Sequence, residues 1–216
     1  MKPLHLWHHL GMGDHITNNG MVRTLAERED EIKLFVKTHN LTNVKRMLRD
    51  LTNISYIHGT GDQDQFVMRF LDINKCIRLL EVTTTSGLYF DKIMYECANV
   101  PFSHKRSKFY FERDLNREKE VYTNILGLEE DEEYIFMHTG AEDLKLDTKL
   151  RIIKPTNMEV GLFDWGLVIE RAKEVHVANS SFFCLIDLAY EIKDGTYHSY
   201  LRPGSDPAIS NKWKVL

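Results

Sequence analysis

The stretch LHLWHHLGMGDHITNNGMVRTLAER, residues 4–28, decides the fold of the first half of the chain. An apolar run over 4–10 stops at the sequence GMGDH, residues 11–15. Apolar residues at helical spacing then follow over 16–27. This order predicts a buried strand, a tight turn and a helix.

Gly11 and Gly13 frame this turn, and Asp14 and His15 follow at the end of the predicted strand. Glycine permits positive φ values and lets another molecule come close to the backbone. One interpretation is therefore a ligand-binding loop. The alternative is that Asp14 only caps a helix that begins near Ile16. The loop is neither a GxGxxG fingerprint, whose third glycine would fall at Ile16, nor a P-loop, because no GK[ST] follows.

Apolar patterns typical of strands and of helices alternate through the rest of the chain. The predicted strands are 32–37, 54–57, 133–140, 149–155 and 174–178, and the predicted helices are 44–51, 163–173, with Asp164 as its cap, and 180–192. This alternation predicts an α/β fold of parallel βαβ units. The two series are separated by residues 99–133, which have mixed charge, and we place the domain boundary there, between 1–118 and 119–216.

Composition excludes several classes of protein. The chain has 216 residues, is 43% hydrophobic and 11% aromatic, and carries a formal net charge of -4, so it has material for a core and no general attraction to nucleic acid. Its three cysteines show no CxxC spacing, which predicts a reducing, cytoplasmic setting. No apolar run reaches the ~18 residues of a transmembrane segment. We expect a soluble cytoplasmic protein without a nucleic-acid partner.

A second loop stands out at Asn179, Ser180 and Ser181, where a predicted strand becomes a nearly all-apolar helix. The first N–H groups of a helix and its positive dipole end suit a phosphate. Alternatively, these residues are only N-caps, for which Asn and Ser are favoured. The two roles are compatible, because the same backbone groups serve both.

A metal site is not indicated, although the chain has 10 histidines. In HLWHH, residues 5–9, His8 and His9 would point to opposite faces of a strand, and no HExxH motif follows. DQD, residues 62–64, is the nearest approach to a metal-binding DxD element and is predicted to be a solvated loop. We expect neither a metal nor a cofactor.

Three stretches together resemble one family. HHLGMGDHITNNGMVRTLAE, residues 8–27, is similar to the glycine-rich loop and first helix of GT-B-type glycosyltransferases of the heptosyltransferase-like kind. VIERAKEVHVANSSFFCLIDLAY, residues 168–190, resembles their late βα unit, where a small polar cluster faces the nucleotide-sugar donor. YECANVPFSHKRSKFYFERD, residues 95–114, is similar to a linker of small bacterial and viral members.

The resemblance implies a compact GT-B-like α/β fold in which two Rossmann-like βαβ subdomains face a cleft. It implies that residues 1–118 bind the acceptor and residues 119–216 bind the nucleotide-sugar donor. Asp14 matches the position of the general base that deprotonates the acceptor hydroxyl, and His15 is the fallback base.

The resemblance also implies a metal-independent site, in which helix N-termini and cations stabilise the leaving nucleoside diphosphate. The candidate donor-binding residues are His138, Thr139, Gly140, Lys145, Asn179, Ser180 and Ser181. The candidate acceptor or phosphate residues are Gly11, Gly13, Arg23, Arg106 and Lys108. The loop over 138–149 does not reproduce the heptosyltransferase donor loop, which leaves the donor sugar and nucleotide open.

The leading hypothesis is an inverting hexosyl- or heptosyltransferase-like enzyme of polysaccharide biosynthesis that acts on a glycan or lipid-linked acceptor. A nucleotide-sugar epimerase on the same scaffold is one alternative. A non-catalytic module that binds a glycan or a nucleotide is the other.

Overall fold

The computed structural model describes residues 2–61, 65–83, 89–140, 144–156, 159–202 and 206–216. The chain forms two compact units, Met1–Glu112 (unit 1) and Arg113–Leu216 (unit 2). The functional roles assigned to 1–118 and 119–216, and the cleft expected between them, stay predictions.

Unit 1 is built on a parallel sheet. Its strands are β1 (Leu4–Trp7), β2 (Ile32–Lys37), β3 (Ile54–Gly59) and β4 (Arg78–Glu81). Its helices are α1 (Met12–Thr17), α2 (Asn19–Ala26), α3 (Leu41–Met47), α4 (Gln65–Ile73), α5 (Phe90–Cys97) and α6 (His104–Ser107). The strand order is β3-β2-β1-β4, with Leu4 opposite both Ile32 and Arg78. This is a Rossmann order, and it reverses between β1 and β4.

Unit 2 has a second parallel sheet. Its strands are β5 (Tyr134–His138), β6 (Arg151–Ile153), β7 (Glu174–Val177), β8 (Gly195–Tyr197) and β9 (Trp213–Val215). Its helices are α7 (Leu115–Glu120), which continues into a π-helical turn over Val121–Ile125, α8 (Gly166–Arg171) and α9 (Ser181–Ala189). The order β6-β5-β7-β8-β9 reverses between β5 and β7, as in flavodoxin-like sheets. The predicted α/β class with parallel βαβ units is thus confirmed in both units.

The core of unit 2 is aromatic and holds α9 against the sheet. Phe183 stacks on Tyr197 with ring centroids 4.1 Å apart and planes 9° apart, and both rings are buried. Phe182 packs between Phe136, tilted at 51°, and Trp165, edge-on at 79°, with ring centroids 5.7 and 6.3 Å away. The start of α9 is therefore fixed relative to the ends of the strands.

The first strand and helix differ from their predicted limits. β1 ends at Trp7, and the predicted helix over 16–27 begins at Met12 and divides at Asn18 into α1 and α2. The division is stabilised by the buried Tyr95, whose hydroxyl donates to the Thr17 carbonyl at 3.0 Å and accepts from the Met21 N–H at 3.1 Å. Tyr95 thus pairs with backbone groups that would bond to each other in a continuous helix. Because Tyr95 is distant in sequence, the local apolar periodicity cannot predict this division of the helix.

Asp164 does not cap α8, contrary to the prediction. Its carboxylate accepts the Gly161 N–H at 3.0 Å and closes a 3₁₀ turn over Leu162–Asp164. Trp165 separates this turn from α8, which begins at Gly166. The carboxylate therefore stabilises the approach to the helix and not the helix itself.

The first part of the predicted interdomain stretch packs on unit 1. The Lys105 ammonium lies 2.5 Å from the Asp91 carboxylate, and the two side chains are 3% and 0% exposed. Farther along, Glu112 pairs with Arg49 at 2.8 Å. Residues up to 112 therefore belong to the first core.

The second part of that stretch belongs to unit 2. The Arg113 guanidinium contacts Glu118 at 2.6 Å and Glu170 at 2.8 Å, and Glu118 is almost fully buried. This cluster ties α7 to α8. A Cβ atom on Gly166 would lie 2.6 Å from a Glu118 carboxylate oxygen, so glycine leaves room for the cluster.

Gly20 is the point where α2 and α6 come closest. A Cβ atom there would lie 2.0 Å from the backbone carbonyl oxygen of His104, which cannot rotate away. We expect Gly20→Ala to destabilise the chain by about 1–3 kcal/mol or more, because the added carbon would force the two helices apart. Urea unfolding measures this cost. Ser107→Ala, an exposed change on α6, should stay within about 0.5 kcal/mol, and a Gly20→Ala value in that range would show that the two helices separate freely.

Candidate functional site

Ligands of open parallel α/β sheets bind beyond the carboxyl ends of the strands, where the strand order reverses. In unit 1 this point lies between β1 and β4. The Val82 N–H donates to the Trp7 carbonyl at 2.8 Å, so the pairing of the two strands extends to the edge. The loop that leaves β1 leads into α1, whose first turn carries Asp14.

Asp14 lies in the first turn of α1 and is partly buried. Burial raises the pKa of its carboxyl group above the ordinary value of 3.8. Electrostatic interaction with the His9 and Lys37 side chains and hydrogen bonds from the backbone N–H groups of Gly11 and Asp14 act in the opposite direction and lower this pKa. The result is a carboxylate with increased proton affinity that is held in place by the start of its own helix.

Glycine at position 11 leaves room for the Asp14 carboxylate, and the backbone conformation of the turn does not itself need a glycine there. Its φ is -68° and its ψ is 151°, a conformation open to any residue, and Gly13 lies within α1. The predicted use of positive φ at these two glycines is therefore wrong. A Cβ atom on Gly11 would instead lie 2.6 Å from Oδ2 of Asp14. The space at Gly11 is thus taken by a side chain of the same protein, and the predicted approach of another molecule to Gly11 and Gly13 stays a prediction.

We expect Gly11→Ala to displace the Asp14 carboxylate toward solvent without unfolding the chain, because the crowded atom is the end of a flexible side chain. Loss of burial, the largest influence on this group, should then lower the pKa of Asp14 toward 3.8. A carboxyl NMR titration of both proteins measures the shift. An unchanged pKa would show that Gly11 has no part in placing the group.

His15 has a different environment from its neighbour Asp14. Its ring is 1% exposed and packs edge-on against the fully buried His8 ring, with centroids 4.6 Å apart. Burial lowers the pKa of both, to about 4 for His8, so the rings are neutral. His8 donates through Nδ1 to the His9 carbonyl at 2.5 Å. The pair forms the floor of the loop, and the base role predicted for His15 stays untested.

Residues at and after the end of β2 also reach this edge, and they were not among the predicted site residues. Besides Lys37 beside Asp14, Asn40 is buried and donates to the Leu10 carbonyl at 2.9 Å, just before Gly11. These residues become neighbours only when β1 and β2 pair, and nothing in the local pattern marks them. They hold the loop from the side of the second strand.

In unit 2 the strand order reverses between β5 and β7, which end in two of the predicted donor-binding groups. Nδ1 of His138 lies 3.1 Å from the Ser180 hydroxyl, which accepts the Phe183 N–H at 3.2 Å. Ser180 is therefore the N-cap of α9, as one of the two interpretations predicted. The same hydroxyl is hydrogen-bonded to His138, whose pKa is lowered by burial. A neutral imidazole and a helix N-terminus thus lie side by side.

Two residues that follow β8 contact Asn179, in the turn between β7 and α9. Arg202 donates through Nη1 to the Asn179 carbonyl at 3.1 Å. The Asn179 amide lies 3.5 Å from the Asp206 carboxylate, which also accepts the Tyr197 hydroxyl. Arg202 and Asp206 were not predicted, because they follow β8 and come to this edge only through the sheet.

The other predicted donor residues are distributed around this edge. Thr139 follows β5 and is buried, and Gly140 has a φ of 70°, as the predicted glycine turn requires. Ser181 is the first residue of α9. Lys145 is exposed in the segment after β5. Their contacts with a ligand stay predictions.

The three cations proposed for unit 1 lie away from the Asp14 edge in sequence and in contacts. Arg23 is buried on α2 and donates to both carboxylate oxygens of Asp50, at 2.7 and 2.9 Å. Lys108 pairs with Glu27 at 2.5 Å, and Arg106 is exposed on α6. These ion pairs explain Arg23 and Lys108 without a ligand, and their predicted phosphate role stays untested.

Metal binding and membrane insertion find no support in the part of the chain that the structure describes. There, no three His, Cys, Asp or Glu side chains are arranged to hold a metal ion. Nor does any described helix have the length and apolar character needed to cross a membrane. The predicted solvated loop DQD, residues 62–64, lies outside the described residues.

Comparison with known proteins identifies the fold. No protein-family model matches the chain, and no curated protein matches it. The fold is similar to that of a glycosyl transferase family 9 protein from Veillonella parvula, with a TM-score of 0.60 and 10% identity over 100% of this chain and 85% of that one. It is also similar to the E. coli ADP-heptose lps heptosyltransferase II, with a TM-score of 0.55 and 12% identity over 100% and 90%.

At these identities the similarity shows the fold alone. The chain has the GT-B-like α/β architecture of two Rossmann-like units, each built on a parallel sheet. The resemblance noted in the sequence is thereby confirmed at the level of the fold. Fold does not imply function, so the activity has to be argued from the two strand edges.

Proposed function

We propose that the chain is an inverting, metal-independent glycosyltransferase, hexosyl- or heptosyltransferase-like, that moves a sugar from a nucleotide-sugar donor to a hydroxyl of a glycan or lipid-linked acceptor. The observation that carries this proposal is the Asp14 carboxylate, held at the strand-order reversal of unit 1 with a raised pKa. The fold shared with glycosyltransferases supports it. We further propose that it works in the cytoplasm.

In the proposed reaction Asp14 accepts the proton of the acceptor hydroxyl. The hydroxyl oxygen attacks the anomeric carbon of the donor, and the bond from that carbon to the diphosphate oxygen breaks. A base is effective when its proton affinity approaches the working pH, and partial burial moves Asp14 in that direction. His15 is less suited, because its ring is buried against His8.

The donor is proposed to bind on unit 2, at the start of α9. The leaving diphosphate gains negative charge in the transition state, and preorganised N–H groups stabilise such charge. The first turn of α9 and the His138 imidazole, oriented by Ser180 at 3.1 Å, supply donors without a metal ion. This assigns the acceptor to unit 1 and the donor to unit 2.

Binding of nucleoside diphosphates tests the proposal directly. The full chain is screened by thermal shift against the nucleoside diphosphates UDP, GDP, ADP and dTDP and the monophosphate CMP, with manganese and with EDTA. A ligand that binds only the folded state raises the melting temperature, by an amount that grows with its concentration over Kd. We expect one nucleoside diphosphate to stabilise the chain equally in EDTA.

Product analysis then separates the enzymes from the binding module. Incubation with the nucleotide sugar of the selected base should release nucleoside diphosphate only when a glycan acceptor is present. An isomerised nucleotide sugar would identify an epimerase. Binding without any product would favour the non-catalytic module, and stabilisation that requires manganese would contradict metal independence.

A further inference from the structure

Four titratable side chains form a continuous hydrogen-bonded chain in unit 2 that no step of the proposed reaction uses. Oε2 of Glu174 lies 3.2 Å from Nε2 of His176, and Nδ1 of His176 lies 3.0 Å from Nε2 of His198. Nδ1 of His198 lies 3.3 Å from the Tyr200 hydroxyl. We call this set the Glu174–Tyr200 chain. It connects the beginning of β7 with the turn after β8.

The carboxylate of Glu174 determines which groups donate and which accept along the Glu174–Tyr200 chain. An ionised carboxylate only accepts, so His176 donates to Glu174 through Nε2 and accepts at Nδ1. His198 then donates through Nε2 and accepts at Nδ1, which leaves the Tyr200 hydroxyl as the last donor. Burial and the neighbouring His176 lower the pKa of His198, which agrees with a neutral ring in this chain.

The Tyr200 end of the Glu174–Tyr200 chain is far more exposed than its two histidines. His176 is 9% exposed and His198 is 3% exposed, whereas Tyr200 is 56% exposed. Removing two imidazole rings from water is costly unless their nitrogens are paired. Here the paired nitrogens fix the position of a tyrosine ring in solvent, and the His198 and Tyr200 rings meet edge to face at 5.7 Å.

Tyr200 is located at the edge proposed for the donor. The His198 N–H donates to the Val177 carbonyl at 2.8 Å, so the residues after β8 continue beside the end of β7. Arg202 comes next to the α9 turn through its bond to the Asn179 carbonyl at 3.1 Å. The Arg202 guanidinium therefore lies beside the start of α9, and Tyr200 comes two residues before it, on the turn that follows β8.

We propose that Tyr200 is the stacking surface for the base of the nucleotide and that Arg202 binds its phosphates, with the Glu174–Tyr200 chain acting to position the ring. This inference rests on the proposed function, because it assigns parts of the donor. A nucleoside diphosphate presents a flat aromatic face and an anionic group, which are the complements of a fixed tyrosine ring and of a guanidinium.

The test uses the full chain and isothermal titration calorimetry with the nucleoside diphosphate selected by the screen. Stacking losses predict about tenfold or weaker binding in Tyr200→Leu, whereas Tyr200→Phe should retain most of the affinity. Tyr110→Leu, an exposed tyrosine of unit 1, is the matched control and should leave binding unchanged. Circular dichroism verifies that each variant is folded.

A ligand without a base separates the two residues. The dissociation constant of inorganic pyrophosphate, measured by competition with the nucleotide, should be the same in wild-type protein and in Tyr200→Leu. It should be higher in Arg202→Gln. Equal nucleotide affinity in Tyr200→Leu and wild type would overturn the stacking role while leaving the proposed function intact. A wild-type chain that binds none of the nucleoside diphosphates would overturn both.

The positioning role has its own measurement. In Glu174→Gln the side-chain amide can donate as well as accept a hydrogen bond. The tautomers of His176 and His198 are then no longer fixed by the residue at position 174. The ¹⁵N chemical shifts of these two rings should change, and nucleotide affinity should fall without a change in pyrophosphate competition. Altered shifts with unchanged nucleotide affinity would show that the chain has only a structural role.

Discussion

Asp14→Asn is expected to lower the rate of glycosyl transfer by about 10²–10⁴-fold, the usual contribution of a general base. An amide keeps the size of the carboxylate and can still accept the Gly11 N–H, but it cannot take the proton of the acceptor hydroxyl. Nucleoside diphosphate affinity should not change, because the donor is proposed to bind on unit 2. Steady-state kinetics and calorimetry on the same preparation measure both quantities.

The same carboxyl group gives an expected pH dependence. Burial raises the pKa of Asp14, so its ionised form disappears at a higher pH than that of an ordinary Asp with a value of 3.8. The acidic limb of the transfer rate should follow this raised pKa. Because the folded chain holds the proton more tightly than the unfolded chain, ionised Asp14 lowers stability above pH 3.8. Asp14→Asn should therefore be at least as stable as wild type at neutral pH.

Asp72→Asn provides the control, because Asp72 is an exposed carboxylate on α4. It should change neither the rate nor its pH profile. Unchanged turnover in Asp14→Asn would remove Asp14 as the base. A large loss of nucleotide binding in that variant would contradict the division of acceptor and donor between the two units.

Lys105→Met is expected to cost about 3–5 kcal/mol of folding free energy, the cost of leaving one charge of a buried pair without its partner. The Lys105 ammonium lies 2.5 Å from the Asp91 carboxylate, and neither side chain has more than 3% of its surface exposed. Methionine occupies a similar volume, so the loss reports the charge and not a cavity. Urea denaturation followed by circular dichroism measures it.

Two further variants test whether the loss of stability comes from the unpaired buried charge. Lys105→Met combined with Asp91→Leu removes both charges and should recover much of the stability, because an apolar pair has no desolvation cost. Lys108→Met breaks the exposed pair with Glu27 and should have little or no measurable effect. A Lys105→Met protein as stable as the Lys108→Met protein would show that water reaches the Asp91 carboxylate.

The sequence predicts the class of fold well and the boundaries of its elements less well. An alternating apolar pattern identifies β2, and an apolar run that ends in a glycine turn identifies β5 and Gly140, because these signals are local. The division of the first helix at Asn18 depends on Tyr95, which lies far along the chain. No local pattern identifies α4, β4 and α5, most of whose residues are half-buried or exposed.

The candidate site shows the same limit. Asp14 and Ser180 could be found from sequence, since each stands where a strand leads into a helix. Lys37, Tyr200 and Arg202 could not, because each comes to its edge through the lateral pairing of strands. Gly11 does not use the positive φ expected of it, and its closeness to the Asp14 carboxylate appears only in the structure, while its acceptor or phosphate role stays a prediction.

Glu112 and Arg113 are joined by one peptide bond, but their ionic partners lie in different units. Glu112 pairs with Arg49, whereas Arg113 pairs with Glu118 and Glu170. In a gene for such a chain, a recombination crossover at this bond would carry each anchoring residue together with its partners. New combinations of the two units could then arise by exchange of whole segments, without new ion pairs having to evolve at the junction.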